Sequence, residues 1–289
     1  MDRASVTNSG AEAGWTRIRP NKSLLSIPWR EIWEYRELVG LLVHRDFVAQ
    51  YKQTVLGSFW YILQPLFQSL MFTLVFSHIA KISTNDMPPL LFFLAGTVCW
   101  RYFQDCVTRT ASTFISNASI FDKVYFPRLV MPISQLVVNV IGFLLQFGLF
   151  LFFYVVYYFK GAPIHMGWQI LLLPLLIIQM AALGLGFGCI VSAMTTRFRD
   201  LQVLLGFFIQ LWMYASCVVY PLSAVPESWR WLFMLNPMVF VIEAFRFAFM
   251  GQGTVTAFQI VLSSALSIVT LLVGVLMFNR VERNSVDNA

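Results

Sequence analysis

The chain has 289 residues, of which 58% are hydrophobic, 16% aromatic and only 12% charged. A water-soluble domain of this length has no use for so much apolar surface. Several runs approach the ~20 apolar residues of a bilayer-spanning helix, and they lack the apolar–polar alternation of a membrane barrel. The net charge of +6 is no argument for nucleic acid, because Lys and Arg mark the cytoplasmic loops of membrane proteins.

The composition therefore predicts an all-α polytopic membrane protein. Residues 1–28 read as a polar cytoplasmic tail without the apolar core of a signal peptide. Residues 29–289 read as one transmembrane domain. In 29–56 an apolar stripe recurs at i+4 (Tyr35, Val39, Val43, Phe47, Tyr51, Val55), opposite Arg36, Glu37, Arg45, Asp46 and Lys52. That pattern predicts an amphipathic helix lying in the inner membrane interface. Spans follow near 58–80, 89–113, 129–159, 169–194, 202–220 and 257–278; the third is long enough to require tilt or projection.

The stretch 226–250 is as apolar as a span, yet Pro237 interrupts it and Glu243 and Arg246 sit three residues apart in it. The charge distribution decides how to count it. With the N-terminus inside and six spans, the inner side holds Arg3, Arg17, Arg19, Lys22, Arg30, Arg36, Arg45 and Lys52. It also holds Arg109, Lys123, Arg128, Arg197, Arg199, Arg280 and Arg283. The outer side holds Lys81, Lys160, Arg230 and Arg246. A seventh span would move the last two inner arginines outside and leave Glu243 and Arg246 in lipid, at roughly 2.5–3.5 kcal/mol each. The stretch is therefore expected to form two short re-entrant helices, started anew at Asn236-Pro237. Glu243 and Arg246 then share a face and can pair. If that interaction dominates, exchanging the two charges should preserve part of it.

In the second span Arg101 and Asp105 are four residues apart, beside Gln104, Thr108 and Arg109. Charges at this depth are expected to face each other or a cavity. Trp60, Gln64, Gln68 and Phe72 recur at i+4 in the first span, and Gly206, Gln210 and Tyr214 in the fifth. Glutamine is costly toward lipid, so these faces should meet protein or water. Gly184 and Gly188 have the spacing of a close helix contact. His44, His78 and His165 are scattered and give no metal site, and Cys99, Cys106, Cys189 and Cys217 lie in or beside apolar runs as expected of buried thiols.

Four segments carry a resemblance. "YKQTVLGSFWYILQPLFQSLMFTLVF", "KVYFPRLVMPIS", "TTRFRDLQ" and "LNPMVFVIEAFR" are, in this order, similar to signature segments of ABC-2 type transporter permeases. The similarity is to the branch that exports O-antigen, capsule or teichoic acid, and it covers about 29–280. It implies a homodimer in a bacterial plasma membrane, bound to two ABC ATPase subunits. The cargo it implies is a glycan on undecaprenyl diphosphate. It also implies that the first and fifth spans line the path, through Trp60, Gln64, Gln68, Phe72, Gln210 and Tyr214. No G-x-x-x-x-G-K-[ST] loop is present, so ATP and Mg are expected on the partner and the chain is expected not to be an enzyme. Residues 116–128 present aromatics among charges and resemble the coupling helix of the family. Phe121, Asp122, Lys123, Tyr125, Phe126 and Arg128 are its candidate anchors. A permease of the same family for drugs or lipids would want an apolar cavity. A membrane-embedded glycosyl- or acyltransferase would want a carboxylate or histidine cluster, and the carboxylates here are dispersed.

Overall fold

The computed structural model describes residues 33–52, 56–117, 126–196, 198, 200–251 and 255–286; among these it is helical, without a strand. The main helices are α1 (Arg36–Tyr51), α2 (Trp60–Phe72), α3 (Pro89–Ala111), α4 (Val130–Phe159), α5 (Leu173–Thr195), α6 (Leu201–Tyr214), α7 (Glu227–Met234), α8 (Pro237–Met250) and α9 (Ala257–Val286). The tail 1–28 and parts of the first predicted helix, 29–32 and 53–55, lie outside the described residues.

Among the described residues four helices are long and apolar enough to cross a membrane: Gly57–Ile79, Val130–Phe159, Trp168–Thr195 and Phe258–Val281. The first contains α2 and continues past Phe72 as a π-helical segment, Thr73–Ile79. Helix α3 has 23 residues but is diluted by Arg101, Gln104, Asp105 and Arg109. Its setting explains that composition. It is buried without a break from Leu90 to Trp100, and α2, α4, α5, α6 and α8 pack around it. Protein replaces lipid along most of its length, so its polar groups need not meet hydrocarbon.

Helix α5 is clamped between α3 and α9. A methyl group added at Gly184 would collide with Cys106, and one at Gly188 with Thr110. The opposite side brings backbone onto backbone, Gly186 against Thr270 and Gly274 of α9. Absent side chains thus set both approach distances. The contact with α9 also carries a polar tie: the Gln179 amide donates to Ser263 at 2.5 Å and to Ser267 at 3.3 Å.

Helix α1 lies against α4. The predicted stripe is on its inward side, with Tyr35, Val39, Val43 and Phe47 half-buried and Leu42 fully so. Leu42 packs with Phe126, Leu129, Val130 and Phe278. The stripe therefore meets this chain's own helices, while Trp33 and Leu41 remain exposed.

Two boundaries correct the sequence reading. The span expected over 202–220 is helical only to Tyr214. From there the chain turns through Cys217 at a φ of 56° into irregular backbone. The last helix, expected over 257–278, runs on to Val286.

Candidate functional site

The break after Met234 is built as the Asn-Pro pair predicts. Asn236 caps α8, its Oδ1 accepting from the Met238 N–H at 3.1 Å, and Pro237 fills the first turn. Helices α7 and α8 meet at 97°. Helix α7 is exposed, with Trp229 and Trp231 about three-fifths accessible, whereas nearly every side chain of α8 is buried.

Glu243 and Arg246 come together in α8, with Nη1 3.2 Å from Oε1. The carboxylate is only part of what holds the arginine. The guanidinium also donates to the carbonyls of Cys217 at 2.9 Å, Val218 at 2.8 Å and Phe92 at 3.4 Å. It lies over the Phe92 ring, 3.6 Å from its centroid. A Cβ at Gly96 would stand 2.8 Å from Nη2 and 2.9 Å from the Val218 oxygen. The Asn236 amide satisfies the neighbouring Ala215 carbonyl at 3.0 Å. Backbone that leaves the helical pattern inside an apolar body must find donors, and these two side chains supply them. The contacts of Arg246 to Cys217, Val218 and Phe92 were not visible in sequence.

The first and fifth predicted spans meet where Gln68 of α2 donates to the Met213 sulfur of α6 at 3.7 Å. Trp60, Gln64, Gln210 and Tyr214 are exposed on these two helices, and Gln68 and Phe72 half-buried. Phe72 is turned inward, edge-to-face on Phe93. Helix α6 buries only Ile209 and Met213. The exposed surface of α2 and α6 is thus a mainly apolar wall (Phe67, Leu70, Met71, Val203, Phe207, Leu211), with the amides of Gln64 and Gln210 and the rings of Trp60 and Tyr214 set in it.

Arg101 stands behind this wall. Its guanidinium donates to the Gln64 Oε1 across the α2–α3 contact. Asp105 lies in the field of both Arg101 and Arg109, but the ion pairs among the described residues are Arg36–Glu37, Arg45–Asp46 and Arg246–Glu243. Sequence spacing favoured Arg101–Asp105; the structure gives Arg101 to another helix.

Nearer α1 a polar chain connects four helices. Arg45 and Asp46 pair at 2.7 Å, Asp46 accepts from the Gln135 amide of α4, and Gln135 accepts from Arg109 of α3 at 3.4 Å. The Tyr61 hydroxyl of α2 donates to Gln50 of α1 at 2.5 Å. Asp46, Gln50, Tyr61 and Gln135 were missed as a group. Gln135 carried the available signal, an amide inside an apolar run.

Of the candidate coupling residues, Phe121, Asp122, Lys123 and Tyr125 lie outside the described residues. Phe126, expected to be exposed, is 5% accessible and belongs to the cluster under α1. Proximity to Leu42 and Phe278, distant in sequence, makes it core. The Arg128 guanidinium lies 5.8 Å from the Phe114 ring.

Residues 37–250 match the family described as ABC-2 type transporter. The O-antigen export system permease protein RfbA of Myxococcus xanthus is 31% identical over 84% of this chain and 91% of its own length. An RfbA permease of Klebsiella pneumoniae is 26% identical over 85% and 92%. The polysialic acid transport protein KpsM of Escherichia coli is 23% identical over 83% and 92%. With a family match over most of its length and a relative of this similarity, the chain belongs to the ABC-2 type transporter family.

Proposed function

We propose that this chain is the permease subunit of an ABC exporter that moves a lipid-linked polysaccharide from the cytoplasm across a bacterial plasma membrane. The observation that carries the reading is its similarity, over most of both chains, to the O-antigen export permease of Myxococcus xanthus. The exposed amides and rings of α2 and α6 support it, since amides bond sugar hydroxyls and aromatic faces stack on pyranose C–H groups.

In this reading six spans cross the membrane. They are the helix containing α2, then α3, α4, the helix containing α5, α6 with the irregular segment after it, and α9. Helix α1 lies along the inner interface. Helices α7 and α8 dip into the outer face and return. Helix α8 alone is about 21 Å long at ~1.5 Å per residue, short of a ~30 Å hydrocarbon core. Both termini are cytoplasmic. Two copies of the chain enclose the path between their α2 and α6 walls, and two ABC ATPase subunits dock at 116–128, supplying ATP hydrolysis. The cargo is a glycan on undecaprenyl diphosphate.

The test is deletion of this chain in its host. Surface polysaccharide should disappear while lipid-linked glycan accumulates on the cytoplasmic side. Unchanged surface polysaccharide would overturn the assignment.

A further inference from the structure

We propose that Arg101 is a positioning residue for Gln64. By taking the amide oxygen it turns the amide N–H groups to the open side of α2, making the wall there a hydrogen-bond donor station selective for acidic sugars. The inference rests on the reading that α2 and α6 line the translocation path.

The orientation follows from chemistry. A guanidinium has donors and no acceptor, so the Gln64 atom it touches must be the carbonyl oxygen. The Nε2 group then points away from Arg101. Gln64 is exposed, and its two amide hydrogens have no acceptor among the described residues. The Arg101 Nε is itself buried, without an acceptor among the described residues. Arg101 and Arg109 both lie near the single carboxylate of α3, Asp105, while Arg109 is tied through Gln135 to the Asp46–Arg45 pair. A wall offering an arginine-fixed amide donor receives carboxylates better than hydroxyls, because hydrogen bonds to an ionised acceptor are the stronger kind.

Had the Arg101–Gln64 bond only tied α2 to α3, a carboxylate at position 64 would serve it as well or better. That contrast makes Gln64→Glu the decisive variant: it is nearly isosteric, keeps an oxygen for Arg101, and replaces the outward N–H groups by an acceptor.

The experiment uses the permease in complex with its ATPase in lipid nanodiscs. Its four native cysteines are replaced, and Gln210→Cys serves as reporter. A neutral hydrophilic maleimide labels Cys at 210, and two soluble probes compete, hexagalacturonate and maltohexaose. With Gln64 intact, hexagalacturonate should protect at a concentration about ten-fold below that of maltohexaose, the margin of a charge-assisted hydrogen bond over a neutral one. Gln64→Glu should abolish or reverse the preference. Arg101→Met, which frees the amide to rotate, should reduce it, and Arg101→Lys, which keeps a donor to the oxygen, should restore part of it. A preference that survives Gln64→Glu overturns the donor station and leaves the conduit standing. Failure of the maleimide to label Cys at 210 overturns the conduit reading, and the donor station with it.

Discussion

Removing Arg246 should be more damaging than removing its carboxylate partner. In Arg246→Met the Glu243 carboxylate stays buried without its cation, and the carbonyls of Cys217 and Val218 lose donors at 2.9 and 2.8 Å. The stack on Phe92 is lost as well. Orphaning one member of a buried ion pair costs roughly 3–5 kcal/mol. The freed carbonyls would add to this, although the terms overlap and do not sum. In Glu243→Gln the fully buried guanidinium loses its counter-charge but keeps three backbone acceptors and the new amide oxygen, so the cost should sit at the lower end of that range, about 3 kcal/mol. Equilibrium unfolding of the purified permease in mixed micelles reads the difference. Arg246→Met should shift the folded-to-unfolded ratio by about three powers of ten or more, at about 1.4 kcal/mol each, and Glu243→Gln by about two. The charge exchange, which sequence spacing suggested would preserve part of the pair, should rescue nothing. A glutamate at 246 would set its oxygens against the carbonyls of Phe92, Cys217 and Val218. Equal costs for the two single variants, or recovery in the exchange, would refute the view that Arg246 serves mainly to hold backbone.

Gly186→Leu should force α5 from α9, because Thr270 backbone already occupies the space. Overpacking of this kind costs roughly 1–3 kcal/mol or more, to be read in the same unfolding assay, whereas Gly148→Ala, with open space around it, should be nearly silent. Asp46→Ala should cut α1 from the Gln135–Arg109 chain; hydrogen exchange of α1 should rise by about an order of magnitude, the equivalent of a 1–1.5 kcal/mol hydrogen-bond loss, while that of α5 stays unchanged. Reporters fused after Gly10 and after Ala289 should both report cytoplasm and one at Gly251 the outer side, and a cytoplasmic signal at Gly251 would end the re-entrant assignment. Replacing Phe121 and Tyr125 by Ala should weaken ATPase association by roughly 2 kcal/mol or more, measured by co-purification, without preventing membrane insertion.

The sequence by itself determined the helical class, the approximate place of each long helix and the break at Asn236-Pro237. Those features are local: apolar run length, backbone donor loss at proline and the capping chemistry of asparagine act within a few residues of where they are written. It also placed Glu243 beside Arg246, because residues three apart on a helix are neighbours. The tertiary structure alone decided where polar groups of different helices go. Arg101 had an acceptor one turn away at Asp105 and went instead to Gln64, 37 positions distant. Phe126 looked like an exposed anchor until α1 and α9 closed over it. The end of α6 at Tyr214 has no strong breaker in its own sequence. It is fixed by Asn236 and Arg246, whose donors take the carbonyls of Ala215, Cys217 and Val218. Inside an apolar body an unpaired donor or acceptor costs more than a lost local preference. Its partner is therefore whichever group packing brings near, and spacing along the chain does not encode that.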